Sequence, residues 1–404
     1  MEILLKFIQE HIDDDTTRLI LDRDKWPDTD IELAVNCIES RRKLKGKVRK
    51  WHENPRLIFP VKLSAEQCSS DATASHKASI AEKIAEGGAF RIADLTGGLG
   101  VDTWYFSYRA SEVLYNEMQY PLYEAAQHNF KELGCCNIRL SNKQIDNSNV
   151  SEIIAGFKPD IVYMDPARRG EGGKKVFLIE ECTPDVLTLK DIIFENVRHI
   201  LIKLSPMADI TMVCERLGSS CREVHVIGAA GECKELLIWM DREWSGGYSI
   251  TATELCPYGT HHSFSFTPEE KKVAKAVICS QIKPGDILFE PGKALMKSGA
   301  FNSISEKTGM EKLGASTHYY IADPCCIPKD LGKVYRIEKC EALNKRSIKS
   351  ISQEYPKAEV TARNIPMDTD TLRKKLGVTS GGDTHIFGLR SDRKGPLLIV
   401  TARL

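Results

Sequence analysis

The feature that most limits what this chain can fold into is a glycine turn set between an apolar run and a helix. FRIADL, residues 90–95, places Phe90, Ile92 and Leu95 in a short apolar run that reads as a buried strand. TGGLGVD follows, Thr96 to Asp102, and Thr103-Trp104-Tyr105-Phe106 continues as the first turns of a helix. Glycines at such a turn let the backbone take positive φ and come close to a ligand at the helix start. About 20 residues past Asp94 a second apolar run, EVLYNE, ends in Glu117, where a carboxylate can hold the two hydroxyls of a ribose. Strand, glycine turn, helix, strand and acid together describe a nucleoside-cofactor site.

The glycine spacing narrows the ligand. Gly97-Gly98-Leu99-Gly100 is not the GxGxxG of a pyrophosphate site, and the lysine of a phosphate-binding P-loop is absent. Asp94 before the glycines and Asp102 after them repel phosphate and suit a cation. S-adenosylmethionine carries a sulfonium and an amino group. ADLTGGLGVD with Glu117 therefore resembles motifs I and II of class I methyltransferases. That resemblance implies S-adenosylmethionine held by Asp94, Thr96, Gly97, Gly98, Gly100, Asp102 and Glu117. The competing reading is a glycine turn in some other α/β protein.

Composition bounds the rest. The 404 residues suffice for two or three domains. Lys plus Arg equals Asp plus Glu, so any nucleic-acid surface must be regional. The 13 cysteines include no CxxC, which speaks against a zinc ribbon, and no metal is expected. Scattered cysteines and a charge-broken N-terminus suit a reduced, intracellular setting. No run approaches the ~20 apolar residues of a membrane helix. A soluble, cytoplasmic protein without membrane contact is expected.

Residues 1–87 read as a helical region. Leu4, Leu5, Ile8 and Ile12 recur at helical spacing, and Leu19 to Leu21 and Ile31 to Ile38 continue it, with Asp28 or Asp30 as a cap. RRKLKGKVRKW, residues 41–51, holds seven basic groups and is either a nucleic-acid contact or a solvated helix face. Residues 69–77 lead into a further helix, with His76 and Lys77 as rim or ordinary surface residues.

Residues 88–245 alternate strands and helices. A helix over 121–133, a third strand at NIRL, a fourth at DIVYM, a fifth at HILIKL, helices over 184–196 and 209–217, and a closing hairpin of REVHVIGA with KELLIWM give seven strands. The resemblance implies an acid after the third strand to meet the adenine amine. Here Ser141-Asn142-Lys143-Gln144 follows, and Asp146 comes late.

The fourth strand runs into Asp165-Pro166-Ala167-Arg168-Arg169 at the sheet's carboxyl edge, where open α/β sheets place ligands. Asp165 can accept from an amine, and the carbonyls of Pro166 and Ala167 can complete the cradle. Acceptors around N–H groups aim the nitrogen lone pair, which is catalysis by positioning. Arg168 and Arg169 suit phosphates or a base face. DPAR resembles the Asn/Asp-Pro-Pro-Tyr motif of amino methyltransferases, with Ala167 and Arg168 as departures. It is also similar to the Asp-Pro-Pro-Arg form of uracil carbon methyltransferases, which need a cysteine after a later strand. The fifth strand ends in Lys203-Leu204-Ser205-Pro206, and Cys182 in EECTP reads as buried or incidental, so nitrogen is favoured as acceptor. A tight turn with solvated arginines is the plain alternative. EGGKK, 171–175, reads as a loop over the site.

Beyond Trp244 the alternation stops. YSITATEL, HHSFSFT and HYYIAD read as strands, 267–280 as a helix, and the stretch from Asp286 to Gly314 as helix and loop. Residues 246–330 are taken as one small α+β, ferredoxin-like domain, with His261-His262 and DPCCIP set aside as metal or catalytic motifs. Residues 331–404 hold 15 Lys/Arg against 8 Asp/Glu, a net charge of +7, leaving −7 for the rest of the neutral chain. Helices are expected over 345–354 and 369–376. Lys345, Arg346, Lys349, Arg363, Arg373, Lys374 and Lys375 form a basic surface, the electrostatic footprint of a phosphate backbone. This module resembles the THUMP-like domain of some bacterial RNA methyltransferases.

The whole chain thus resembles a bacterial family of class I methyltransferases with a THUMP-like C-terminus. The fold this implies is α/β: a Rossmann-like seven-stranded core at 88–245 behind an N-terminal helical region, followed by α+β domains at 246–330 and 331–404. The implied activity is methyl transfer to an exocyclic base amine of rRNA or tRNA, and the TGGLGxD form also looks like a ribosomal guanine methyltransferase. The alternatives are a protein or small-molecule methyltransferase, or a non-catalytic RNA-binding protein that kept the fold.

Overall fold

A computed structural model of the chain describes residues 1–168, 178–256, 262–322 and 329–404, the side chains of Arg168 and Lys329 excepted. The chain divides into two compact units. Met1–Val224 with Lys234–Gly247 form the first, and His225–Cys233 with Tyr248–Leu404 form the second.

The first unit opens with six helices: α1 Glu2–Glu10, α2 Thr16–Leu21, α3 Ile31–Leu44, α4 Arg49–Glu53, α5 Lys62–Gln67 and α6 Asp71–Ile84. Short polar caps start three of them, because a side-chain oxygen satisfies an orphan N–H of the first turn. Asp15 caps α2 and Asp30 caps α3, while Ser70 forms a capping box with Thr73 at α6. The basic run 41–51 is largely structural. Arg41 is 5% exposed and donates to the carbonyls of Asn54 at 2.6 Å and Leu57 at 2.8 Å. Arg42 donates to the carbonyl of Ile12 at 2.8 Å, and Lys43 pairs with Glu66 at 3.0 Å. These groups fasten helices to loops, so the run is not a clear cationic face.

The sheet that follows has nine strands, where the sequence predicts seven. Seven of its strands are β1 Arg91–Asp94, β2 Glu112–Asn116, β3 Ile138–Ser141, β4 Ile161–Met164, β5 His199–Leu204, β6 Cys221–Ala229 and β7 Glu232–Asp241. They stand in the order β3-β2-β1-β4-β5-β7-β6. Neighbours from β3 to β5 are parallel, and β7 runs antiparallel to β5. The connecting helices include α7 Val101–Ser107 and α8 Tyr120–Glu132. β4 is buried along its whole length, as expected of a parallel strand covered on both faces. The chain crosses from β1 to β2 on one side and reaches β4 on the other, and that reversal opens a crevice at the carboxyl ends of β1 and β4.

In the second unit, one seven-stranded sheet includes β-strands from both sides of residue 330. Its members are β8 Ile287–Pro291, β9 Glu311–Lys312, β10 Tyr320–Ala322, β11 Gly332–Ala342, β12 Glu359–Arg363, β13 Thr384–Ser391 and β14 Gly395–Arg403, in the order β9-β10-β8-β11-β14-β13-β12. Two expectations need correction. DILFEP forms a strand rather than helix or loop, with Leu288 and Phe289 fully buried. The helix expected over 267–280 covers only Pro268–Val273, because Val277 and Cys279 instead exchange backbone hydrogen bonds with Lys312. The helices Lys345–Glu354 and Thr369–Leu376 lie where the sequence places them, and their apolar sides share a core with strands β12, β13 and β14.

Candidate cofactor and acceptor site

A cavity of about 320 Å³ lies at the carboxyl ends of β1, β2 and β4. Asp94, Thr96, Gly97, Gly98, Gly100, Asp102 and Glu117 all line it, and so do Asp165 and Ala167. The glycine turn and the DPAR stretch therefore meet in one space.

The turn is glycine for steric reasons. A Cβ on Gly97 would sit 2.2 Å from the Tyr115 ring, whose hydroxyl donates to the Gly98 carbonyl at 2.7 Å. Gly100 has φ +93°, and a Cβ there would meet the Phe130 ring at 2.7 Å. The first contact packs the backbone against β2 and the second against α8, so glycine is required at both positions. Glu117 ties the turn to β2: Oε2 accepts from the Gly98 N–H at 2.8 Å and Oε1 from the Gln119 N–H at 2.7 Å. Each oxygen keeps a second lone pair.

Residues 332–403 match the THUMP domain-like family, and residues 288–327 match a ferredoxin-like domain family. The crystal structure of a candidate methyltransferase from Porphyromonas gingivalis W83 superposes with a TM-score of 0.85 at 27% identity, over 99% of this chain and 97% of that one. This chain is a class I methyltransferase with a THUMP-like domain. No curated protein matches it. Two further structures overlap in part: a T. thermophilus 16S rRNA N2 G1207 methyltransferase solved with AdoMet and guanosine (14% identity, 46% of each chain, TM-score 0.34), and a candidate RNA methyltransferase from Pyrococcus horikoshii (19%, 32% of this chain and 58% of that one, TM-score 0.24). Those scores are low, and the Porphyromonas structure carries the likeness in fold.

The cofactor of class I methyltransferases is S-adenosylmethionine, and the cavity residues fit it. Glu117 suits the ribose hydroxyls at the end of β2, and the acid Asp94 favours a cation. After β3 the lining is Lys143, Gln144 and Ile145. Asp146 does not join them, since its Oδ1 accepts from the Ser148 N–H at 2.8 Å and closes a turn. Among the described residues the lining after β3 therefore carries no acid, and Lys143 and Gln144 are its polar residues.

The lead-in segment reaches the mouth, at different residues from those expected. Ser64, Gln67, Cys68 and Ser69 line the cavity. Lys77 is fully buried behind them, 2.6 Å from Glu235, 3.2 Å from Asp102 and 2.8 Å from the Ser69 hydroxyl. Asp102 Oδ2 also accepts from Tyr163 at 2.8 Å. Asp102 thus anchors α6 to the start of α7 and reaches the cavity from within an ion-pair network. His76 is half-buried and is not part of the lining.

Asp165 is joined to the turn through its backbone, whose N–H donates to Thr96 Oγ1 at 2.6 Å. Its carboxylate meets a partner that sequence reasoning missed: Lys203 Nζ, at the end of β5, lies 2.6 Å from Asp165 Oδ2. Burial alone would lower the Lys203 pKa, but Asp165, Asp102 and Glu235 raise it further, so the side chain stays an ammonium. A lysine near the end of the fifth strand was the available signal. Pro166 is buried and does not line the cavity, while Ala167 pairs with Thr183 in a two-residue ladder. Cys182 is fully buried. Arg169, the 171–175 loop, His261 and DPCCIP lie outside the described residues. His262 pairs with Asp330. Among the described residues no group of three metal-ligating side chains forms, and no helix is long and apolar enough to cross a membrane.

Asp94 gives a pH prediction. It is 1% exposed, and burial pushes its pKa up to about 7, against the Thr103 hydroxyl and Thr96 N–H that favour the ionised form. A cationic ligand binds the carboxylate better than the acid. Affinity for S-adenosylmethionine should therefore rise as pH climbs towards about 7 and flatten above it, with proton release on the acid side. Calorimetry between about pH 5.5 and 8 checks this. Asp94→Asn should remove the slope, and a slope that survives in that variant assigns the proton to another group.

Proposed function

We propose that this methyltransferase moves the methyl group of S-adenosylmethionine to an exocyclic amine of an rRNA or tRNA base. The observation that carries the reading is the meeting of Asp165 with the glycine turn and Glu117 in one cavity. When bound, the cofactor supplies a methyl carbon on a positive sulfonium. Asp165 accepts from one amine N–H, and the Ala167 end of the turn helps to hold the nitrogen in line. The nitrogen lone pair then forms the N–C bond as the C–S bond breaks, its electron pair stays on sulfur, and the extra proton leaves to water. In this reading residues 1–87 and 88–245 build the catalytic domain, 246–330 the ferredoxin-like domain, and 331–404 the module that grips RNA.

Lys345, Arg346, Lys349, Arg363, Lys374 and Lys375 are exposed, and Arg373 is half-buried beside Asp370 at 3.2 Å. The test of the whole reading is transfer of labelled methyl to RNA from a deletion strain, followed by nucleoside mass spectrometry. A methylated base amine supports it, and the absence of transfer to any RNA rules it out.

The grip is tested separately. Truncation at residue 331 would remove four strands of a shared sheet, so charge reversal is the better variant. Changing Lys345, Arg346, Lys349, Lys374 and Lys375 to Glu should flatten the log affinity against log salt slope by roughly 0.7 to 0.9 for each phosphate no longer neutralised. Cofactor binding should not change. An unaltered slope would move the RNA surface elsewhere.

A further inference from the structure

The residue at the end of β5 bears on which base is methylated. Lys203 lines the same cavity as Asp165, its side chain is 11% exposed, and one N–H goes to Asp165 Oδ2 at 2.6 Å. An ammonium has three N–H donors. The other two have no protein acceptor among the described residues. A nearly buried donor needs a partner, because leaving it without one forfeits its hydration. Lys203 is among the residues that line this cavity.

Asp165 and Lys203 therefore present an acceptor and a donor side by side. A base edge that fits must offer a donor next to an acceptor. Adenine does so with its N6 amine beside N1, and cytosine with its N4 amine beside N3. Guanine does not: its N2 amine is flanked by N1–H, a second donor, which would face the ammonium donor to donor. The other neighbour of that amine, N3, lies against the ribose. Uracil has no amine. Reading an unstacked base on this edge is how proteins select single-stranded RNA positions, and a mismatched polar edge leaves buried groups on both sides without partners.

We propose that Lys203 reads the acceptor base, and that the methylated atom is adenine N6 or cytosine N4. This rests on the RNA-amine reading above and narrows it.

The experiment uses the full chain with labelled S-adenosylmethionine and RNA from a deletion strain. The expected product is N6-methyladenosine or N4-methylcytidine. Lys203→Met should lower kcat at least 100-fold and keep cofactor affinity within about twofold, since the contact is to the base. Lys203→Arg should recover part of the rate, because a guanidinium also donates beside the carboxylate. A purely structural lysine would not separate turnover from cofactor binding in this way. N2-methylguanosine or a carbon-methylated product overturns the inference and leaves methyl transfer to RNA standing. Wild-type turnover in Lys203→Met overturns it too. If Lys203→Met fails to bind cofactor, product identity and the Lys203→Arg rate decide. No transfer by wild type to any RNA removes the RNA reading itself, and this inference with it.

Discussion

Asp165→Ala is expected to lower methyl transfer to RNA by two or more orders of magnitude, about 3 kcal/mol in the barrier, with little change in cofactor affinity. An exocyclic base amine is nearly non-basic, since its lone pair is delocalised into the ring. Its problem is direction rather than proton loss. A carboxylate accepting one N–H turns the nitrogen so that the lone pair points at the methyl carbon. The structure adds a second consequence. Lys203 loses its 2.6 Å partner when Asp165 is truncated, so the variant leaves an ammonium at 11% exposure with its nearest acceptor gone. Asp165→Asn is the cleaner companion, since the amide oxygen still accepts and the side-chain volume is kept. Its rate should fall between the two. Single-turnover kinetics with labelled cofactor, beside calorimetric cofactor binding, separate the chemical step from binding. An Asp165→Ala enzyme working at the wild-type rate would remove the amine cradle and turn attention to a carbon or ribose acceptor.

The difference between what the sequence shows and what it hides follows from the range of each interaction. The glycine turn is legible because one of its causes is local, the positive φ at Gly98 and Gly100, although the approach of Gly97 to the Tyr115 ring comes from the next strand. The helices at 345–354 and 369–376 are legible for the same reason, since Asn344 and Asp368 cap them and the apolar spacing is regular. DILFEP misleads because its status as a strand depends on partners at 320–322 and 332–336, far along the chain. Lys77 looks like a rim residue until Glu235, 158 positions away, supplies the charge that lets it be buried. The Lys203–Asp165 pair is 38 positions apart and joins two strand ends that only the sheet order makes neighbours. Sequence motifs mark where the site is, and long-range ion pairs decide which atoms of it are occupied.

Glu117→Ala should weaken S-adenosylmethionine binding at least about 100-fold, near 2.7 kcal/mol. Two effects combine. The first is loss of two charge-assisted hydrogen bonds from the ribose hydroxyls, each stronger than a neutral pair. The second lies in the protein. Glu117 is 6% exposed, and its carboxylate holds the Gly98 and Gln119 N–H groups at 2.8 and 2.7 Å. Without it both amides lose their acceptor, at a cost of about 1–3 kcal/mol each where water does not reach. The glycine turn would then no longer be fixed to the end of β2, and the cofactor would have to order it on binding. Glu117→Gln divides these effects. Its carbonyl oxygen still accepts one backbone N–H, while its NH₂ group faces the other donor to donor. It should bind more tightly than Glu117→Ala and more weakly than wild type. Calorimetry with S-adenosylmethionine measures both variants, and thermal unfolding without ligand reports the turn. Equal cofactor affinity in wild type and Glu117→Ala would place the ribose elsewhere in the cavity and leave Glu117 as a support of the turn alone.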